Sequence, residues 1–343
     1  MLAVTATGPE PEPTAVASAL DADLVRSERA FRAMGSDAHV FVWQERGAPN
    51  RPEDVLDRAE LEIERLEQQW SRFRTDSDLS RLNAAAGTPV PVAPETAALL
   101  EFCRQAMDTT NGQFDPSVLP ALLAAGYDRS FDELTPDVVG ATGTDDRLPS
   151  PGPAPAFRRR ALDALVIDGA DGTAMIPAGS AIDLGGVGKG RAADLVTQIL
   201  RDEEGVRAAC VNLGGDLRAV GAVPGPDGLV VGVADPFRVV DHLALLRIDD
   251  AGVATTARTR RHWQTDAGPM HHLIDPISGA PAHTGLASVT VVAPTGADAE
   301  VLAKALFLSG GIDAERWLTA RGASALLVGD DGELRTIGDL PEV

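Results

Sequence analysis

The sequence predicts an α+β fold, on three observations. Strand-like runs and long helical patterns both occur, they do not alternate as regular βαβ units, and no internal repeat appears. A chain of 343 residues with 44% hydrophobic content suffices for one large domain or two intimately joined ones. Aromatic residues make up only 4%, so the core must be packed mainly from Leu, Val and Ala.

Residues 1–27 are rich in Pro, Ala and acid and read as a disordered tail, with the folded domain over 28–343. The organised chain starts near Phe31, and Ala38-His-Val-Phe-Val-Trp43 reads as a strand. A helix opens at Pro52, a favourable first-turn residue. Its apolar positions Leu56, Ala59, Ile63, Leu66 and Trp70 are spaced by three and four residues and form one face. A second helix runs from Pro94 to Thr110 and stops at Asn111-Gly112, residue types that accept the left-handed conformation of a C-cap. Residues 136–160, dense in Pro, Gly and Asp, read as a surface excursion. A helix should follow Lys189, carrying Ala193, Leu195, Val196, Ile199 and Leu200. Strands are expected over 207–213, 229–234, 243–248 and 286–293, then a helix over 297–309 and a strand over 324–328.

A net charge of −21 argues against a nucleic-acid partner or an anionic-membrane surface, and any bound polyphosphate then needs local cations or a metal. No apolar run reaches 18 residues, so no helix is expected to insert in a membrane. The opening Met1-Leu-Ala-Val-Thr-Ala-Thr-Gly-Pro9 lacks a basic segment followed by a long apolar one, which leads us to expect a cytoplasmic protein. Cys103 and Cys210 lie in apolar contexts with no spacing motif and read as buried free thiols. The six histidines show no HxxxH or HExxH pattern, which argues against zinc.

Against 28 arginines the chain has two lysines, Lys189 and Lys304, and both fall in site-like segments. Arginine can replace a general surface cation, but not a compact ammonium in a tight site. Lys189 ends the glycine-rich loop Asp183-Leu-Gly-Gly-Val-Gly-Lys-Gly190, which opens a helix. Such a loop lets backbone approach a ligand and offers its amides to an anion, although plain structural turns also use clustered glycines. It is neither a Walker A loop nor a GxGxxG fingerprint. Asn212-Leu-Gly-Gly-Asp216 is a second close-approach loop, and His271-His-Leu-Ile-Asp-Pro-Ile-Ser-Gly279 joins His272 and Asp275 in one turn.

Together these segments resemble the ApbE family of FAD:protein FMN transferases. Ala33-Met-Gly-Ser36 is similar to the family's Met-Gly-Thr opening, and Ser71-Arg-Phe-Arg-Thr-Asp-Ser-Asp-Leu-Ser-Arg-Leu-Asn83 to its S-x-(F/Y)-x-x-x-S-x-(L/I)-S-x-(L/I)-N segment. Gly112-Gln-Phe-Asp-Pro-Ser117 resembles G-x-F-D-P-T, and Ile182 to Gly190 with Asp194 resembles D-L-G-G-I-A-K-G-x-x-x-D. The 212–216 and 272–279 segments complete six motifs in order. The resemblance implies two intimately joined subdomains, with mixed or antiparallel sheets and flanking helices, and FAD in the cleft between them. It implies cleavage of the FAD pyrophosphate and transfer of FMN to a threonine or serine hydroxyl of a partner protein. FAD hydrolysis to FMN and AMP, or FAD binding without chemistry, are the alternatives. Met34, Gly35, Ser36, Asn212, Gly214, Gly215 and Asp216 would line the flavin cleft. Asp183, Gly185, Gly186, Lys189 and Thr256 would lie near the phosphates. His272 and Asp275 would orient or deprotonate the acceptor hydroxyl, with Lys304 beside them.

The resemblance also implies magnesium, held by a helix that reads A-D-A-L-(A/S)-T-A. Here that stretch is Ala299-Glu-Val-Leu-Ala-Lys-Ala305, so Glu300 replaces Asp and Lys304 replaces Thr. Gly186 and Glu300 remain as metal ligands, with Asp298 as a substitute two positions away. Protonated lysine cannot bind magnesium, and residues four apart share a helix face, so Glu300 and Lys304 should pair. That pair would be either an ordinary surface contact or an ammonium standing in for the metal's charge. We expect Lys304 to reach both Glu300 and the FAD pyrophosphate.

Overall fold

The computed structural model describes residues 3–5, 23–131, 157–224, 228–238, 241–265 and 268–342. Its main sheet has eight strands: β1 (Leu24–Ala33), β2 (Ser36–Glu45), β3 (Val206–Leu213), β4 (Asp216–Val220), β5 (Gly252–Ala257), β6 (Leu286–Ala293), β7 (Ser324–Gly329) and β8 (Leu334–Ile337). Each strand pairs antiparallel with the next in chain order, so the sheet is a meander from β1 to β8. Two-residue hairpin turns of positive φ match the twist of such ribbons. Met34-Gly35 (φ 50° and 66°) joins β1 to β2, and Gly214-Gly215 (φ 68° and 104°) joins β3 to β4.

Alternation along the strands buries both faces. Val40, Val42, Ala209, Val211, Val289 and Val291 point into a core shared with the helices. Phe41, Trp43, Ala208, Cys210, Val292 and Leu326 point the other way. The strands Leu229–Ala234, His242–Ile248 and Ala3–Thr5 form a small sheet, and Leu229, Val231, Val233, Leu246 and Ile248 of the first two share that second core. Burial on both faces is why these strands read as unbroken apolar runs. Cys103 and Cys210 are buried free thiols, as their contexts indicated.

The first four residues of β1, 24–27, fall where disorder was expected. Of residues 1–27, the described part includes the strand Ala3–Thr5 and the start of β1, and the rest lies outside the described residues. The sequence Leu-Val-Arg-Ser-Glu-Arg-Ala-Phe-Arg-Ala looks like polar tail because β1 is an edge strand with alternate charged residues in solvent. Arg29 of β1 pairs with Asp57 and Glu60 on the first helix. Of the excursion 136–160, residues up to 156 lie outside the described residues, and the chain then enters a 3₁₀ turn at Ala161–Ala164.

Most helices enter between β2 and β3: α1 (Pro52–Trp70), α2 (Asp78–Ala84), α3 (Pro94–Thr109), α4 (Leu119–Ala124) and α5 (Gly188–Arg201). Leu56, Ala59, Ile63, Leu66 and Trp70 of α1 are all buried, as their spacing required. Asp78 ties three helices together: Oδ2 accepts from Thr96 Oγ1 (2.6 Å) and from Ala93 N (2.8 Å), while Thr96 accepts from Trp70 Nε1 (3.2 Å). No helix among the described residues is long and apolar enough to cross a membrane.

Between β6 and β7 lie α6 (Gly296–Leu308) and α7 (Ala314–Arg321). α5 and α6 cross at two glycines. A Cβ on Gly190 would stand 2.3 Å from the Gly296 carbonyl oxygen. Asp194 of α5 caps α6, accepting from Gly296 N (2.6 Å) and Ala297 N (3.0 Å). Gly190→Ala should therefore destabilise the protein by about 1–3 kcal/mol, because the obstacle is backbone and α5 must shift. Chemical denaturation measures this, and an unchanged midpoint would refute the close crossing.

Candidate active site

A cleft of about 360 Å³ opens between the insertion and the sheet, within the size range of small-molecule sites. The glycine-rich loop forms its floor. Asn83 clamps that loop at Ile182, donating to its carbonyl (2.9 Å) and accepting from its amide (2.8 Å). Asp183 N donates to Pro116 O (2.8 Å), which joins the loop to the Gly112–Ser117 motif. Two motifs distant in sequence thus hold a third in place.

The α5/α6 crossing builds an ion cluster beneath the cleft. Lys189 Nζ lies 2.6 Å from Asp216 Oδ2 and 2.7 Å from Glu300 Oε1. Glu300 Oε2 accepts from Gly190 N at 2.8 Å. Burial opposes the Lys189 charge, but Asp216 and Glu300 outweigh it and hold the ammonium protonated above the ordinary lysine range.

This cluster corrects one expectation. Glu300 pairs with Lys189, not with Lys304, and among the described residues no carboxylate lies within 4.0 Å of Lys304. Lys304 instead enters the cleft over Gly186, where a Cβ would come within 2.8 Å of Lys304 Cε. Burial pulls its pKa down, Glu300 pulls it up, and Lys189 and Arg261 push it further down. An anionic ligand would favour the charged form.

The two adjacent histidines divide their roles. His271 is buried, with Nδ1 accepting from Leu273 N (3.2 Å) and Nε2 facing Ala282 O (3.2 Å); burial and the nearby His283 push it down to about 4. It is a neutral structural group. His272 lines the cleft, and its Nδ1 lies 3.2 Å from the Arg261 carbonyl. That contact selects the Nδ1–H tautomer and leaves Nε2 as an acceptor. Burial, Lys304 and Arg261 together hold His272 well below the ordinary histidine range, hence neutral.

Asp275 is placed elsewhere. Its carboxylate accepts from Ile277 N (2.9 Å), Ser278 N (3.2 Å) and Ser278 Oγ (2.8 Å), and it borders a second cavity instead of the cleft. It holds the turn that carries His272, and these hydrogen bonds all lie within that turn. Met34, Gly35, Asp183, Gly185, Gly186 and Lys189 line the cleft. Ser36, Asn212, Gly214, Gly215 and Thr256 do not. Asn212 Oδ1 accepts from Gly215 N (2.8 Å), Gly214 packs on Ser36, and Thr256 is buried in β5. Asp216 reaches the site only through Lys189.

Sequence reasoning missed one wall. The Arg72 guanidinium lies over the rings of Phe73 (4.1 Å) and Tyr127 (4.5 Å), with Nε 3.4 Å from Asp183 Oδ1. The Tyr127 and Trp263 rings lie tilted to one another with centroids 5.3 Å apart. Arg72 and Phe73 sat inside a quoted motif, and Tyr127 is the chain's single tyrosine, which was the available signal. Arg261, also in the wall, carried none.

Fold and site define an α+β protein with a cleft between its helices and its main sheet. Lys304, Arg261 and a neutral His272 line the cleft together with the Arg72, Phe73 and Tyr127 wall, an arrangement suited to a phosphorylated aromatic ligand. Residues 34–339 match the ApbE family, and the chain belongs to it. It is 32% identical to the FAD:protein FMN transferase of Treponema pallidum, over 82% of this chain and 78% of that protein. The Vibrio cholerae FAD:protein FMN transferase is 29% identical, over 72% and 71%. The crystal structure of the ApbE protein from Thermotoga maritima superimposes with a TM-score of 0.74 at 26% identity, covering 91% of this chain and 97% of that one.

Proposed function

We propose that this protein is an FAD:protein FMN transferase, which cleaves the FAD pyrophosphate and passes FMN to a serine or threonine hydroxyl of an acceptor protein. The observation that carries the reading is the meeting of Lys304, Arg261 and a neutral His272 in one cleft walled by the family's motifs. The acceptor hydroxyl attacks the FMN phosphorus, the phosphoanhydride bond breaks, and AMP departs. His272 Nε2 takes the hydroxyl proton, with Nδ1–H anchored on the Arg261 carbonyl. Lys304 and Arg261 offset charge on the pyrophosphate oxygens, the main requirement of phosphoryl transfer. The cation–aromatic wall of Arg72, Phe73 and Tyr127 supplies stacking surface for a flat ring system.

Incubation with FAD and an acceptor-pattern peptide, Asp-x-x-Thr-Gly-Ala, tests this. The expected products are AMP and a peptide carrying one FMN. AMP and FMN without modified peptide would instead make the protein an FAD pyrophosphatase, and bound but intact FAD would make it a flavin-binding protein.

A further inference from the structure

Magnesium is the cation that family resemblance places at this cleft, and the residues present do not fit it. Both oxygens of Glu300 are engaged, one by Lys189 Nζ at 2.7 Å and the other by the Gly190 amide at 2.8 Å. Asp298 is no substitute, because one oxygen accepts from Thr295 Oγ1 (2.8 Å) and the other pairs with Arg321. The Lys304 stem packs over Gly186, with a Gly186 Cβ position 3.2 Å from Cδ and 2.8 Å from Cε. Among the described residues no group of three or more His, Cys, Asp or Glu side chains is placed to hold a metal ion. Octahedral coordination at about 2.0–2.1 Å needs oxygens that are free to turn toward the ion.

Among the cations that line the cleft, Lys304 stands over Gly186 and next to His272. Lys189 cannot serve, since two carboxylates within 2.7 Å already offset its charge. Among the described residues Lys304 has no carboxylate within 4.0 Å; it lines the cleft and stands beside His272. We propose that the Lys304 ammonium is the resident counter-ion for the FAD pyrophosphate, so that this protein binds and uses FAD without a divalent metal. A single ammonium carries one charge where magnesium carries two, and Arg261 in the same wall supplies the second. The inference rests on the flavin-transfer reading above.

The test is FAD affinity, followed by flavin fluorescence, for the full-length protein in EDTA and in millimolar magnesium. Calorimetric titration of magnesium into the FAD complex runs alongside. We expect dissociation constants that agree within about twofold, as for a site whose ligand keeps one charge-assisted partner, and no stoichiometric heat of metal binding. Lys304→Thr should weaken FAD binding in EDTA by roughly tenfold or more, the loss of one charged hydrogen bond. Lys304→Arg should retain most of the affinity, which separates loss of charge from misfolding. Stoichiometric magnesium binding to the wild-type complex, or FAD affinity that rises tenfold or more with magnesium, would overturn the inference and leave flavin transfer standing. No FAD binding in either condition would overturn the flavin reading itself, and this inference with it.

Discussion

A protein carrying His272→Ala is expected to lose FMN transfer by about 10²–10⁴-fold, the usual contribution of a positioned general base. Its FAD affinity should change little, because the cations of the cleft remain. The wild-type pH profile supplies an independent check. Burial first, then Lys304 and Arg261, hold His272 well below the ordinary histidine value of 6.5. A base whose pKa is lowered stays neutral and active as pH falls through 6.5, and loses activity only in more acid solution. kcat/KM reports the free enzyme, so its acid limb should lie clearly below 6.5. Lys304→Met removes one of the two cations that depress His272 and should move that limb upward. A wild-type limb at or above 6.5, or His272→Ala transfer within threefold of wild type, would remove His272 from the base role.

The second large effect concerns stability. Lys189→Met should cost about 3–5 kcal/mol, the penalty for breaking a buried ion cluster from one side. The side chains of Asp216 and Glu300 are only 10% and 4% exposed, and Lys189 is the ammonium they share. Without it two buried carboxylates face each other and must take up protons or admit water. Urea denaturation of the variant checks the loss. Adding Asp216→Asn and Glu300→Gln to Lys189→Met should recover part of it, since the uncompensated charges are then gone. A single-variant loss below 1 kcal/mol would mean that the three groups do not act as a buried unit.

Short-range pattern made much of this molecule legible. The 3.6-residue period of α1, the Asn111-Gly112 stop of α3 and the apolar runs of β3 and β6 are local properties, and each element formed where they placed it. β5 (Gly-Val-Ala-Thr-Thr-Ala) and edge strand β1 were not read, because small or charged residues mask a strand whose neighbours complete its burial. Asp275 was read by its proximity to His272 in sequence, but an Asp followed by Pro, Ile and Ser closes its own turn first.

The ion pairing of the site shows the boundary most clearly. Sequence by itself determined that two lysines stand in two site segments, that Glu300 and Lys304 share a helix face, and that Lys304 occupies the position where the family resemblance implies a hydroxyl. From helix geometry alone, Glu300 should have paired four residues along, with Lys304. Tertiary structure decided otherwise. Gly190 and Gly296 let α5 and α6 approach to backbone contact, and that crossing delivers Lys189 and the Gly190 amide to Glu300 across 110 residues of chain or more. A buried carboxylate takes the partners that satisfy both of its oxygens, in preference to one flexible ammonium on its own helix. Lys304 is thereby left to the cleft, a position that no local pattern could have assigned.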